Sequence, residues 1–469
     1  MAFVKTAGIG VALAWMFPSV AMAQFVESDV QVIDRLDGDE VGEIYGWAGA
    51  NLADLDGDGV QEFLISAVSR NNGAGRVTLY SGADRSVIAT FDGPGAGQAL
   101  GYAMAGAGDV DADGTQDFIL GGGPVYVISG STREILYELG ATTGFGHAVS
   151  GAGDVNGDGY GDLFVGSERT LEPESRAGEA FMISGQSGEV LWKRDGSGDD
   201  FLGSGCGSLG DVDGDHIPDV IVSARGAREA YVLSGSDGAL IRTLRPEEPE
   251  RSVVYGQFFA AGAGDVDRDG IGDVFVADYA GLEGAGEAYV YSGRSGHVLH
   301  RFRGFDPGDG FGPGRGIPDV NGDGHADVFV AAYLDADGAR AAGKAYLFSG
   351  RSGALLRTIT STEVDTNFGV DALPTGDINN DGLTDYLVTA SGLAFAGTGA
   401  GRAYVIAGTR LPCPADLSGD GRVGFRDLFR LIAFARKNDI RGDLNGDRGV
   451  DNADFDVLLR DVGRCGVSR

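Results

Sequence analysis

An all-β, seven-bladed β-propeller followed by a small α-helical domain is the fold that this 469-residue sequence predicts. Three observations predict it. A nine-residue acidic segment occurs seven times between residues 54 and 385, its starts separated by 55, 45, 57, 54, 54 and 58 residues. Every copy is flanked by short apolar runs bounded by Gly and Asp, the pattern of strands. After residue 412 the texture changes to two longer acidic loops, each leading into a stretch with helical periodicity. Recurrence at such a period means repeated structural units.

The elements follow in chain order. Lys5, the apolar run GIGVALAWMF and Ala21-Met22-Ala23 form a basic start, a short apolar core and a small-residue cleavage site. That pattern predicts a secretory signal over residues 1–23, hence a secreted, cell-surface or periplasmic protein. The run is too short for a membrane span, and no other stretch is long and apolar enough. Residues 24–410 hold the repeats. After each acidic segment comes an apolar run (FLISAV, FILGGG, LFVGSE, VIVSAR, VFVADY, VFVAAY, YLVTAS). A second strand follows, from RVTLYSG in the first unit to RAYVIAG in the last. Six units add a third run, such as EVLWKR, and the segment before each loop, such as YAMAGAG, supplies a fourth. Four short strands per unit in seven units read as a propeller. The seventh unit lacks its last strand, and DVQVIDRLDG (residues 29–38) reads as that strand. Joining the two would close the ring and remove exposed edges. An open solenoid or a row of sandwiches also fits the repeats; the strand exchange argues against both.

The acidic segments carry the chemistry. Ca²⁺ takes about six to eight oxygens, and a tightly coiled loop can converge side chains 1, 3 and 5, the carbonyl of position 7 and a carboxylate at position 9. In the seven copies these are Asp54, Asp56, Asp58, Val60 and Glu62; Asp109, Asp111, Asp113, Thr115 and Asp117; Asp154, Asn156, Asp158, Tyr160 and Asp162; Asp211, Asp213, Asp215, Ile217 and Asp219; Asp265, Asp267, Asp269, Ile271 and Asp273; Asp319, Asn321, Asp323, His325 and Asp327; and Asp377, Asn379, Asp381, Leu383 and Asp385. Position 6 must bend sharply, which suits Gly; the fourth copy has His216 there and is expected to be strained, differently shaped or weaker in binding. Polar turns without metal are the plain alternative for any single copy, and an acid at position 9 in all seven argues against it for the set.

The units resemble FG-GAP repeats, the blades of integrin α-chain propellers. The likeness rests on Phe145-Gly146, Phe311-Gly312 and Phe368-Gly369 before the loops, and on Gly106-Ala107-Gly108, Gly151-Ala152-Gly153 and Gly262-Ala263-Gly264 just ahead of the first Asp. Leu202-Gly203 stands in for Phe-Gly in the fourth unit. The resemblance implies a calcium site in a hairpin on one face of each blade and ligand binding by loops of the opposite face.

The tail, residues 411–469, carries two twelve-residue loops. The first offers Asp416, Ser418, Asp420, the carbonyl of Arg422 and Asp427; the second offers Asp443, Asn445, Asp447, the carbonyl of Gly449, Asp451 and Asp454. Each precedes an amphipathic helix, with Leu428, Leu431, Ile432 and Ala435 on one face of the first and Phe455, Leu458 and Leu459 on that of the second. An EF-hand-like pair follows, bringing the expected calcium sites to nine. The pair resembles a dockerin, with Asp at position 12 and no entering helix, which implies a cohesin-like partner. It departs in its 27-residue repeat, in Arg448 at position 6, and in Phe425-Arg426 and Asn452-Ala453 at positions 10 and 11. Cys413 and Cys465 bracket the module and invite a disulfide in an exported chain. Cys206 is left over as a small buried thiol.

Net charge is −33, and the seven propeller loops hold 25 of the 69 acids. Nine bound Ca²⁺ would leave about −15, which disfavours nucleic acid and anionic membranes as partners. No HExxH, GxSxG, CxxC or phosphate loop is present, so no catalytic residue is assigned. The expectation is a non-enzymatic, monomeric calcium-binding adhesion protein. Its protein or glycan ligand would meet residues 168–177, 245–255, 279–286 and 333–343, with Tyr255, Tyr279 and Tyr333 as contacts. The alternative is a polysaccharide-degrading enzyme or accessory protein recruited by the tail.

Overall fold

The computed structural model describes residues 24–140, 144–168, 176–392, 399–411, 413–418, 422–437 and 439–464. The signal segment, Asp420 and Cys465 lie outside them, as does most of the loop 168–177.

Seven four-stranded antiparallel sheets form the blades. Blade 1 is built from Tyr45–Asn51, Phe63–Ala67, Arg76–Tyr80 and Val87–Asp92, paired in that order from the inside outward. Blades 2 to 6 repeat the pattern with inner strands Met104–Gly108, Phe145–Gly153, Leu202–Gly210, Ala260–Gly264 and Phe311–Ile317. Blade 7 begins with Phe368–Gly376, and its outermost strand is Val32–Asp37, paired antiparallel with Arg402–Ile406. The predicted exchange thus closes the ring, and the inner strands of blades 7 and 1 are in contact.

The second strand of every blade is the most deeply buried. Asp162–Ser167, Asp219–Ala224, Asp273–Asp278, Asp327–Ala332 and Asp385–Ala390 are buried at every position. Both faces of such a strand meet neighbouring blades, hence their continuous apolar sequence. Seven core clusters result, each drawn mainly from two adjacent blades. Leu64, Leu79, Phe118 and Leu120 join blades 1 and 2, and Phe329, Leu347, Tyr386 and Val388 join blades 6 and 7. Fourth strands are less buried than the second, and Val190–Asp195 is largely exposed.

Chain direction separates two faces. The acidic loops, between first and second strands, share one end of the ring with the turns between third and fourth strands. The connections 279–286 and 333–343, between second and third strands, lie at the opposite end.

The tail has two helices, α1 (Phe425–Ala435) and α2 (Asn452–Arg460). Leu431, Val457 and Leu458 are buried between them, and the cluster takes in Ala354 of blade 6. Leu459, expected on the apolar face, is exposed, and Val457 occupies the buried position instead. The short strand Arg422–Val423 pairs with Gly463–Arg464, joining the module's ends. Cys413 is disulfide-bonded. Leu355 N–H donates to the Leu444 carbonyl (3.0 Å), docking the second tail loop on the rim of blade 6.

Candidate metal loops and the channel mouth

Each acidic loop is coiled around its first Asp. In blade 1, Asp54 Oδ1 accepts the Gly57 and Asp58 N–H groups and Oδ2 accepts that of Gly59 (2.8 Å). The same bond from position 6 recurs in blades 2 to 7, to Asp109, Asp154, Asp211, Asp265, Asp319 and Asp377. Position 5 then accepts the N–H of position 7, as Asp58 does from Val60 (2.8 Å). These bonds turn the side chains of positions 1, 3 and 5 toward one centre. Position 6 lies in the left-handed region throughout, including His216 at φ 72° and Arg448 at φ 66°. Both non-glycine residues thus hold the left-handed backbone that glycine adopts without cost, so of the alternatives for the His216 loop it is strain that the backbone shows.

The ninth residue behaves in a way the motif alone does not reveal. Asp117 is fully buried; Oδ2 accepts Val110 N–H (2.7 Å) and Oδ1 accepts Gly130 N–H (2.7 Å) from the turn between third and fourth strands. Asp162, Asp219, Asp273, Asp327 and Asp385 make the same pair of bonds. The glycine in that turn is required by close approach: a Cβ at Gly350 would lie 1.7 Å from the Ala326 carbonyl oxygen. Burial pushes Asp117, Asp219 and Asp273 up to about 6 and Asp327 to about 7.

Among the described residues, acids converge within 4.8 Å of one another in four loops: Asp54, Asp56, Asp58 and Glu62; Asp109, Asp111 and Asp117; Asp211, Asp213 and Asp219; and Asp265, Asp267 and Asp269. In blades 3, 6 and 7 an Asn amide holds position 3. The donor set fits a hard cation best in blade 1, where the longer Glu62 leaves Oε1 buried without a hydrogen-bond partner and burial raises its pKa to about 7. In blade 5, Arg294 pairs with Asp269 (2.5 Å) and competes for the same oxygens.

The tail loops use the same device. Asp427 accepts the Ser418 and Gly424 N–H groups (2.7 and 2.8 Å), and Asp454 accepts those of Leu444 and Asp451 (2.6 and 2.7 Å). Asp451 also caps α2 through Ala453 N–H. Asp443 accepts from Gly446 and Arg448, and Asn445 from Asp447. Asp416 accepts from the Ser418 hydroxyl (3.2 Å).

At the opposite face the central channel opens into a cavity of 480 Å³. Its rim is aromatic: Trp47 stacks on Tyr102 (centroids 5.2 Å), His147 on Phe258 (5.3 Å), and Tyr279 meets Tyr333 edge-on (6.3 Å). Trp47 and Phe258 approach to 5.9 Å across the mouth. Deeper in, Arg315 pairs with Asp371, whose Oδ2 accepts Gly49 N–H (3.0 Å). Tyr279 and Tyr333, expected on the ligand loops, are partly exposed and line this cavity. Tyr255, expected there too, is instead wholly buried and donates to Tyr291 Oη (2.6 Å), because it occupies the core position taken by Phe in Phe-Gly units. Arg245 and Arg251 of the same loop are engaged by Glu229 and Glu248.

A profile for FG-GAP-like repeats matches residues 319–388, and one for the FG-GAP repeat matches residues 145–170. The chain carries FG-GAP repeats within its seven-bladed propeller. Its relatives include integrin alpha-PS3 of Drosophila melanogaster, 38% identical over 121 residues, covering 24% of this chain and 11% of the relative. Integrin alpha-IIb of Mus musculus is 32% identical over 148 residues (26% and 14%), and integrin alpha-V of Gallus gallus 28% over 254 residues (52% and 20%). The matches therefore span a tenth to a fifth of these relatives' length.

The FG-GAP register explains how the mouth is built. The glycine at the Phe-Gly position has positive φ whatever residue precedes it, as at Gly46, Gly101, Gly146 and Gly256. A side chain at Gly256 would put its Cβ 2.4 Å from that of Ser223. The residue after this glycine is Trp47, Tyr102, His147, Ser204, Gln257, Pro313 and Val370 in turn. From it the aromatic half of the FG-GAP propeller's mouth was readable. The first loop Asp lies eight positions after this glycine in five units, seven in blade 6 and nine in blade 5. The additional residue admits Phe258, whose φ is 66°. Arg315 and Asp371 carried no motif and were missed. Among the described residues no helix is long and apolar enough to cross a membrane.

Proposed function

We propose that this protein is an exported, calcium-stabilised binding or adhesion protein: a signal over residues 1–23, a propeller over 24–410 and an EF-hand-like, dockerin-like module over 411–469. Ligand would be met at the channel mouth and surrounding loops, on the face opposite the acidic loops. The observation carrying this reading is the division of labour between faces. One end concentrates buried, mutually repelling carboxylates, and the other presents a partly exposed aromatic rim around a cavity.

Calcium would be held by the oxygens of positions 1, 3 and 5 with the carbonyl of position 7, beside the buried acid of position 9. Bound there, it would supply positive charge that cancels repulsion among the carboxylates. The relatives' name supports the adhesion reading by similarity alone. The tail would serve attachment, to a cohesin-like or other extracellular partner. Its second loop faces inward: Arg448 reaches Asp306 (3.0 Å) and Asp337 (3.2 Å), which leaves the exposed face of α1, with Phe425 and Phe429, to a partner.

The test is retention of the full chain, in calcium, on immobilised extracellular glycans and proteins. Binding lost by Tyr333→Ala at unchanged melting temperature supports the reading. Binding that instead follows substitutions at the acidic loops with the fold intact would overturn the assignment of faces.

A further inference from the structure

We propose that the channel mouth is a subsite for a neutral sugar ring, in which Arg315 and Asp371 engage adjacent hydroxyls while the aromatic rim covers the ring's apolar face. The proposal rests on the preceding reading that this face binds ligand, and names its chemical class.

The floor of the cavity selects for neutrality. Arg315 and Asp371 form an ion pair, so the floor carries no net charge. Their hydrogen-bonding capacity is nevertheless incomplete. Arg315 Nε is buried and has no hydrogen-bond partner. Among the described residues, Asp371 Oδ2 accepts only the Gly49 N–H, leaving a lone pair over. A carboxylate ligand would meet Asp371, and an ammonium would meet Arg315. A pair of neighbouring hydroxyls satisfies both, one accepting from Arg315 and the other donating to Asp371. Buried polar groups lacking partners are costly, so a ligand that completes them is favoured.

The walls select for a ring with an apolar face. Trp47 is half-buried, and its Nε1 donates to the Tyr102 carbonyl (3.0 Å), so the indole is fixed in orientation. Tyr279 is similarly held through Gln257 (3.2 Å), with Tyr333 beside it. Fixed aromatic surfaces offer contact area with little ordering entropy left to lose. Phe258 sits opposite Trp47 in a left-handed conformation that no other blade has at this point. The cavity, 480 Å³, lies in the range of about 300–1,000 Å³ typical of small-ligand sites.

The experiment is a glycan array followed by calorimetry with methyl hexosides, on the full chain in calcium. Trp47→Ala and Asp371→Asn are each expected to weaken hexose binding at least tenfold with unchanged melting temperature. Should Asp371→Asn melt early, Tyr333→Ala at the rim carries the same test. Raising NaCl from 0.05 to 0.5 M should change affinity less than twofold, because the ligand is uncharged. Binding that persists in Trp47→Ala, or a ligand that proves to be a basic peptide displaced by salt, overturns the proposal. An array without neutral glycans overturns it too, and adhesion to protein in that case leaves the broader reading standing.

Discussion

Replacing Asp117 by Ala separates the two roles carried by the ninth loop position. In the folded chain this carboxylate accepts two buried N–H groups, from Val110 and Gly130, each at 2.7 Å. Stranding them costs about 1–3 kcal/mol apiece, so about 2–6 kcal/mol in all. Against this stands the penalty of burying the charge. Burial raises the carboxyl from 3.8 to about 6, a difference worth about 3 kcal/mol once the group is ionised. Because the folded state holds the proton more tightly than the unfolded chain, the group's contribution is greatest below pH 4 and falls as pH rises through 6. In chelator, Asp117→Ala should therefore destabilise most below pH 4, and about 1–1.5 kcal/mol less at pH 8 than at pH 5. With calcium present at pH 8 the gap should widen again, since the cation offsets the ionised penalty. Urea unfolding followed by tryptophan fluorescence at both pH values, with chelator and with calcium, measures all four numbers. A loss under 1 kcal/mol at pH 5 in chelator would refute the bracing role, and equal losses at pH 5 and pH 8 would refute the burial penalty.

Further outcomes are expected. In chelator the wild-type melting temperature should rise between pH 7.5 and pH 5.5, since the buried acids at Glu62 and Asp327, held at about 7, take up protons on folding; with calcium, which needs them ionised, the order should reverse, and scanning calorimetry reads both. Glu62→Gln should lower the calcium content by one ion per chain, measured by elemental analysis, leaving the far-ultraviolet dichroism unchanged. His216→Gly relieves a left-handed backbone in an exposed loop and should stabilise by about 0.5–1 kcal/mol in urea. Arg448→Gly relieves the same strain yet removes contacts with Asp306, Asp337 and the face of Phe305, so limited proteolysis should detach the tail faster.

The propeller was legible because its signals are local and repeated. Second strands buried on both faces must be apolar throughout, and seven such runs at one period admit few architectures. The lone strand of residues 29–38 was legible from the deficit at the other end of the chain. What stayed hidden depends on neighbours brought together only by folding. Tyr255 resembles a loop aromatic in sequence, but it fills the core position that Phe occupies elsewhere. Leu459 fits a helical stripe that in fact turns toward Val457 once α2 packs on α1. Arg315 and Asp371 come from different blades, 56 residues apart, and no spacing rule links them. The bond from the ninth loop position to the glycine of the following turn likewise spans 13 residues in blade 2 and has no signature of its own.

Ring closure also sets a timetable for folding. Of the propeller's strands Val32–Asp37 is synthesised first and its partner Arg402–Ile406 last; Val32 and Ile406 are 374 positions apart. At about 5–20 residues per second that interval is roughly 20–75 s, during which the early strand has no mate. Six blades can assemble from contacts within and between neighbours, but the seventh waits for both ends of the propeller. The last pairing to form carries the longest loop-closure penalty. It is also the natural first point of opening: a nick or a proline in residues 32–37 would leave the blades individually sound and the circle unlocked.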